Sequence, residues 1–291
     1  MDPKQIVLLA FQVSIAATVF SFGLAATRAD LMFLWHRPTL FMRSLIAVLV
    51  VMPLFAILLV RVFDFRPVVE VALLALAISP MPPLLPRRMH KGGGEDAYGI
   101  SLLLWLSLVA LIAVPLARMI LSAWLGPEIL SSGKIAKVLL LMVVLPLVAG
   151  AFIRSRWPAL ADRMERPIKL GATILLALAV VVLLAVAWRP MLDAVGDGTI
   201  VAIVLFVVVG LAVGHFLGGP SRHTSVVLAL ATACRHPVVA LTIASSSAPG
   251  SPFGGTILLY VVVASLVATP YLMFQHRCEQ PPQQPVPPKQ A

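Results

Sequence analysis

The 291-residue chain is 60% hydrophobic and 12% charged, about half the charge of an ordinary soluble domain, and its mean hydropathy is +1.01. One core cannot hide that much apolar surface, and the apolar runs are continuous rather than alternating. A soluble enzyme, a disordered chain, a small disulfide scaffold and a membrane β-barrel are therefore excluded, leaving an all-α polytopic membrane protein. The net charge of +10 lies in Lys and Arg between the apolar runs, where basic residues orient membrane helices; it is not a nucleic-acid signal.

Nine stretches reach the roughly 20 residues a membrane helix needs. In chain order they cover residues 5–27, 42–60, 67–86, 97–125, 137–153, 168–188, 199–217, 224–247 and 255–274. The first is longer than the core of a signal peptide, about 7–15 residues, and reads as a helix. The fourth carries Pro115. Residues 280–291 are rich in Pro and Gln and read as a disordered tail. Residues 1–279 read as one transmembrane domain, with a first repeat over about 5–125 and a second over about 135–275.

Counting Lys and Arg on alternate sides gives 14 on the side of Arg28, Arg87, Arg154 and Arg277, and 7 on the side of Lys4, Arg66 and Arg189. The richer side is cytoplasmic by the positive-inside rule, which puts the N-terminus outside and the C-terminus inside. A bacterial inner membrane is the expected location. The two cysteines, Cys234 and Cys278, suit neither a disulfide nor a zinc site, because zinc takes about four N or S ligands at set spacings.

Two spans are not smooth. The third contains Ser79-Pro80-Met81-Pro82-Pro83, and the eighth contains Thr232-Ala233-Cys234-Arg235-His236-Pro237. Proline removes a backbone donor and clashes with the preceding turn, so neither helix continues through its break. The breaks lie about 155 residues apart with an odd number of helices between, so the two units have opposite orientation. That is the pattern of an inverted repeat whose paired broken helices frame a substrate site near the midplane. Ordinary proline kinks are the plainer reading of either helix alone.

Arg235 lies roughly 12 residues from either end of its span, too far to snorkel, and such placement costs about 2.5–3.5 kcal/mol. Glu70 is the only carboxylate clearly within a span, near one end. The remaining partners for Arg235 are carbonyls freed at the breaks, water, or a bound anion. His236 is a polar filler of the break or a proton-coupling group. The candidate substrate-binding residues are Arg235, His236, Thr232, Pro237, Ser79, Pro80, Pro82, Pro83 and Ser101. Thr242, Ser245 and Ser246 are weaker, since Ser and Thr often bond their own helix. No metal site and no catalytic dyad or triad is found, so the chain does not read as an enzyme.

The segments Phe22-Gly23-Leu24, Arg37-Pro38 and Met52-Pro53-Leu54, with Ser79-Pro80 and Ala231 to Pro237, resemble the bile acid:sodium symporter family in its nine-helix form. The resemblance implies a core domain of spans two, three, four, seven, eight and nine, and a panel domain of spans one, five and six. Family members place a Glu, a Gln and an Asn of their sodium sites where this chain has Ala231, Arg235 and His236. Their Ser-Asn pair falls near Arg87 and Arg88. Of a Ser/Thr pair on the next helix, Ser101 is kept and Trp105 replaces the Thr. An arginine about 4 Å from sodium repels it by about 4 kcal/mol at an effective dielectric constant near 20, which argues against sodium as a cofactor bound in the family manner.

The expected function is secondary transport of a small organic anion across the lipid bilayer by alternating access. Coupling to protons, to sodium at a rebuilt site, or to no ion stays open. The alternatives are a facilitative or channel-like pore of the same fold and a non-transporting sensor or assembly partner, the latter disfavoured by the lack of a sizeable soluble domain.

Overall fold

A computed structural model describes residues 3–125, 136–137, 139–247 and 251–277. The Pro/Gln-rich tail and Cys278 lie outside the described residues. The described chain is helical, and each of the nine expected stretches falls on helix. The first gives α1 (Pro3–Ala25), and a short α2 (Arg28–Met32) follows it. That short helix exists because Thr27 and Asp30 form a reciprocal capping box, which satisfies two otherwise orphaned N–H groups.

The second stretch runs as α3 (Pro38–Ile46), a π turn (Ala47–Val51) and α4 (Met52–Val62) without interruption. The third is two helices, α5 (Pro67–Ile78) and α6 (Leu85–Lys91). Next come α7 (Asp96–Leu125), a second π turn (Leu140–Val144), α8 (Leu145–Arg156) and α9 (Pro158–Asp193). The remainder is α10 (Thr199–Leu217), α11 (Arg222–Ala233), α12 (Pro237–Ser247) and α13 (Phe253–Arg277). Among the described residues, five segments are by themselves long and apolar enough to cross a membrane, while Leu9–Ala25 and Pro67–Ile78 are shorter apolar helices.

The helices form two groups, joined where α9 packs on α13. One is α1 with α8 and α9. It closes at a glycine crossing, where a Cβ on Gly23 would lie 2.3 Å from the Leu147 carbonyl and one on Gly150 2.4 Å from that of Phe20. Small residues let backbones meet in this way when no hydrophobic effect drives helices together. The other group holds α3 to α7 and α10 to α13. Its tightest contact is α10 on α11, along Gly210, Gly214 and Gly218; a Cβ on Gly214 would lie 2.4 Å from the Leu228 carbonyl. These groups match the expected panel and core.

Within the core, α5 packs on α12 and α6 packs on α11. The first half of one broken helix thus meets the second half of the other, as two broken helices of opposite direction must when they cross. The second broken helix is the centre of the molecule. In Arg222–Ser245, 78% of the apolar window is buried, against 28–39% in the other four candidate spans.

Candidate functional site at the crossing of two broken helices

An α-helical carbonyl accepts from the N–H four residues on, so each proline frees a carbonyl upstream. Pro83 leaves the Ser79 carbonyl without a backbone donor, and Pro237 does the same for Ala233. At the π turn the Met52 N–H goes to Ala47, and Pro53, the alternative donor, has no N–H. Val48 is thereby left open. A buried carbonyl left unpaired costs about 1–3 kcal/mol, so each of the three needs a partner.

The structure supplies all three. Arg235 Nη1 donates to the Ser79 carbonyl at 3.2 Å, and Nη2 donates to Val48 at 3.1 Å. The Tyr260 hydroxyl donates to Ala233 at 2.7 Å. A fourth bond joins the breaks directly, from the His236 N–H to the Pro80 carbonyl at 2.8 Å. Arg235 is only 1% exposed, and its guanidinium carbon lies 5.9 Å from the centre of the Phe206 ring, within cation–π range. Among the described residues its Nε has no hydrogen-bond partner.

His236 is also fully buried. Its Nδ1 accepts from the Val239 N–H at 3.5 Å, which makes the ring the N-cap of α12, and its Nε2 has no partner among the described residues. The ring therefore holds a helix end in place.

The other expected site residues divide. Ser79, Pro80, Pro83 and Thr232 are buried at the crossing, and Pro82 and Pro237 are half-buried there. The hydroxyl of Ser79 bonds Leu76 and that of Thr232 bonds Leu228, each within its own helix. Thr242 likewise bonds Val238. Ser101 is not bonded to the breaks. Its hydroxyl donates to the Leu31 carbonyl and accepts from the Leu34 N–H, both at 3.1 Å. Trp105 Nε1 donates to the same Leu31 carbonyl. Ser101 and Trp105 thus hold the chain at the end of α2 against α7, because that face of α7 is turned toward α2.

Two features lay outside the candidate substrate-binding residues. Tyr260 closes the second break. Arg87 and Arg88, which stand just past the first break, bond hydroxyls on α9 and α13. A cavity of about 410 Å³ lies elsewhere, between the end of α10, the start of α11 and the end of α13, and is lined by His215, Phe216, Arg222 and Phe274 among others. Among the described residues no group of three or more His, Cys, Asp or Glu is placed to hold a metal ion.

No curated protein matches the chain. A model of the Sodium Bile acid symporter family matches residues 13–193, a stretch that includes the panel helices and the first break and ends before the second. With crossed broken helices, a three-helix group and this match over more than half its length, the chain belongs to the sodium bile acid symporter family.

Proposed function

We propose that the protein is a carrier that moves a small organic anion across a membrane by alternating access. The crossing of the two breaks serves as its rigid frame, and the seam between core and panel as its moving part. One observation carries this reading: the breaks are bonded to each other through His236 and Arg235, 2.8 Å and 3.2 Å from the first break's carbonyls. Unwound backbone at membrane depth survives only when protein or a water-filled cavity covers it, and a frame tied in this way can move as one body. The excess of Lys and Arg near Arg28, Arg87, Arg154 and Arg277 favours a cytoplasmic C-terminus in a bacterial inner membrane.

In this reading Arg235 replaces a coupling cation. A guanidinium on the Ser79 and Val48 carbonyls brings the positive charge that free backbone oxygens would otherwise draw from sodium. Transport is then independent of sodium. Proton coupling through His236 is disfavoured, because its Nδ1 serves as a helix cap.

The test is uptake by the full-length protein in proteoliposomes, with a panel of labelled carboxylates and matched sodium and potassium gradients. Saturable uptake that shows counterflow and equal rates in the two salts is expected. Unsaturated flux without counterflow would make the protein a pore. Uptake that requires a sodium gradient would overturn the role given to Arg235.

A further inference from the structure

We propose that Arg87 and Arg88 receive the negative charge of the transported molecule, and that the load is a carboxylate anion, best matched by a dicarboxylate. This rests on the carrier reading above and moves the recognition site from the crossing to the seam beside it.

Both residues lie on α6, directly after the first break. Arg87 Nη1 donates to the Thr173 hydroxyl on α9 at 2.8 Å, and Arg88 Nη2 donates to the Ser265 hydroxyl on α13 at 3.1 Å. Ser265 stands midway along α13, about 18 Å from either end at 1.5 Å per residue. The Arg88 guanidinium therefore reaches along α13 to its middle.

Each partner hydroxyl gives its own proton to a carbonyl one turn back, Thr173 to Lys169 and Ser265 to Val261. The arginines thus meet neutral acceptors that bring no negative charge. Among the described residues no carboxylate comes within 4.0 Å of either one. Arg66 and Arg154, by contrast, pair with Asp197 and Asp162. With no carboxylate to neutralise them, both guanidiniums keep their charge available to an anion.

Access separates this pair from Arg235. Arg87 is half-buried and Arg88 exposed, whereas Arg235 is 1% exposed and bonded to backbone. The Arg87–Thr173 bond also spans the seam, from the core group to the panel group, so it must break when the two groups slide. An anion held there would feel both groups. The planar guanidinium fork suits carboxylate oxygens, and two such charges are balanced by two carboxylates.

The test is thermal unfolding of the purified full-length protein in detergent, titrated with potassium succinate and with potassium propionate at constant ionic strength. A ligand of the folded state raises apparent stability in a saturable way. Wild type is expected to respond to succinate more strongly than to propionate. Arg87→Gln and Arg88→Gln are expected to weaken the succinate response by about tenfold or more. Arg87→Lys and Arg88→Lys keep the charge and lose the fork, and are expected to lose most of the response as well. They serve if a Gln variant does not fold.

Arg156→Gln, at an exposed position, controls for general charge and is expected to change nothing. A wild type deaf to succinate, a response surviving in the Gln and Lys variants, or an equal loss in Arg156→Gln would each overturn the proposal. Labelled succinate uptake separates the two readings. Uptake surviving in Arg88→Gln sinks the site and spares the carrier. A stability response without uptake sinks the carrier and spares the site.

Discussion

Arg235 and the Arg87–Arg88 pair stand in the same core, each within two residues of a proline, and differ in what their donors meet. Arg235 ends on the Ser79 and Val48 carbonyls and is sealed from solvent. Arg87 and Arg88 end on Thr173 and Ser265 hydroxyls and stay accessible. The partners explain the difference. Carbonyls orphaned by proline carry a fixed partial negative charge and have no other donor, so a guanidinium on them becomes part of the scaffold. Hydroxyls already bonded to their own helices bring no net charge, so a guanidinium on them remains open to an anion. Closeness to a break alone does not separate a structural arginine from one left open to a ligand.

Removing the scaffold arginine sharpens the contrast most. Arg235→Gln cannot reach both carbonyls as a guanidinium does, and the loss is expected to cost about 2–5 kcal/mol, summed over the groups left unpaired. Denaturant titration of the purified protein checks it; a loss under about 1 kcal/mol would mean that water replaces the arginine.

Next in size is Gly214→Leu. A Cβ there would meet the Leu228 carbonyl at 2.4 Å, so α10 and α11 must part, at about 1–3 kcal/mol, as overpacking costs elsewhere. Gly254, with nothing within 4 Å of its Cβ position, is the control, and a Gly254→Ala variant is expected to unfold like wild type. Equal losses in the two would refute the close packing.

Tyr260→Phe removes only the donor to Ala233 and keeps the ring. About 1–2 kcal/mol is expected, and its sum with the loss in Arg235→Gln in the double variant tests whether the caps act independently. The smallest effect belongs to Arg66→Gln. Its ion pair with Asp197 is 3.0 Å long but 45% and 57% exposed on the two sides, and such pairs contribute about 0–1 kcal/mol. A larger loss would show that this loop, whose Arg66 also bonds the Asp193 carbonyl, braces the core against the end of α9.

Much of the crossing was legible, because proline clusters are unambiguous in a hydrophobic sequence. Ser79 to Pro83 and Thr232 to Pro237 read as breaks, and carbonyls freed at the breaks were among the partners open to Arg235. The Val48 carbonyl was not foreseen, since a π turn leaves the apolar pattern unchanged, although Pro53 five residues on was the signal. Ser101 read as a site residue because spacing does not say which neighbour a helix face meets. The short α2 was announced by Thr27 and Asp30 at capping-box spacing, and the α10–α11 contact by Gly210, Gly214 and Gly218, each four residues apart; both signals were visible and unused. Arg87 and Arg88 read as orienting charges near a membrane surface, and only their bonds to Thr173 and Ser265 show which helices they meet.

The most direct measurement compares Arg235→Lys with Arg88→Lys, each unfolded by heat in detergent with and without potassium succinate. Arg235→Lys is expected to melt several degrees below wild type and to keep the succinate-induced rise. Arg88→Lys is expected to melt like wild type and to lose most of that rise. The reverse pattern, a stable Arg235→Lys that no longer responds to succinate beside an Arg88→Lys that still does, would contradict the division between an arginine that holds the crossing and a pair that holds the load.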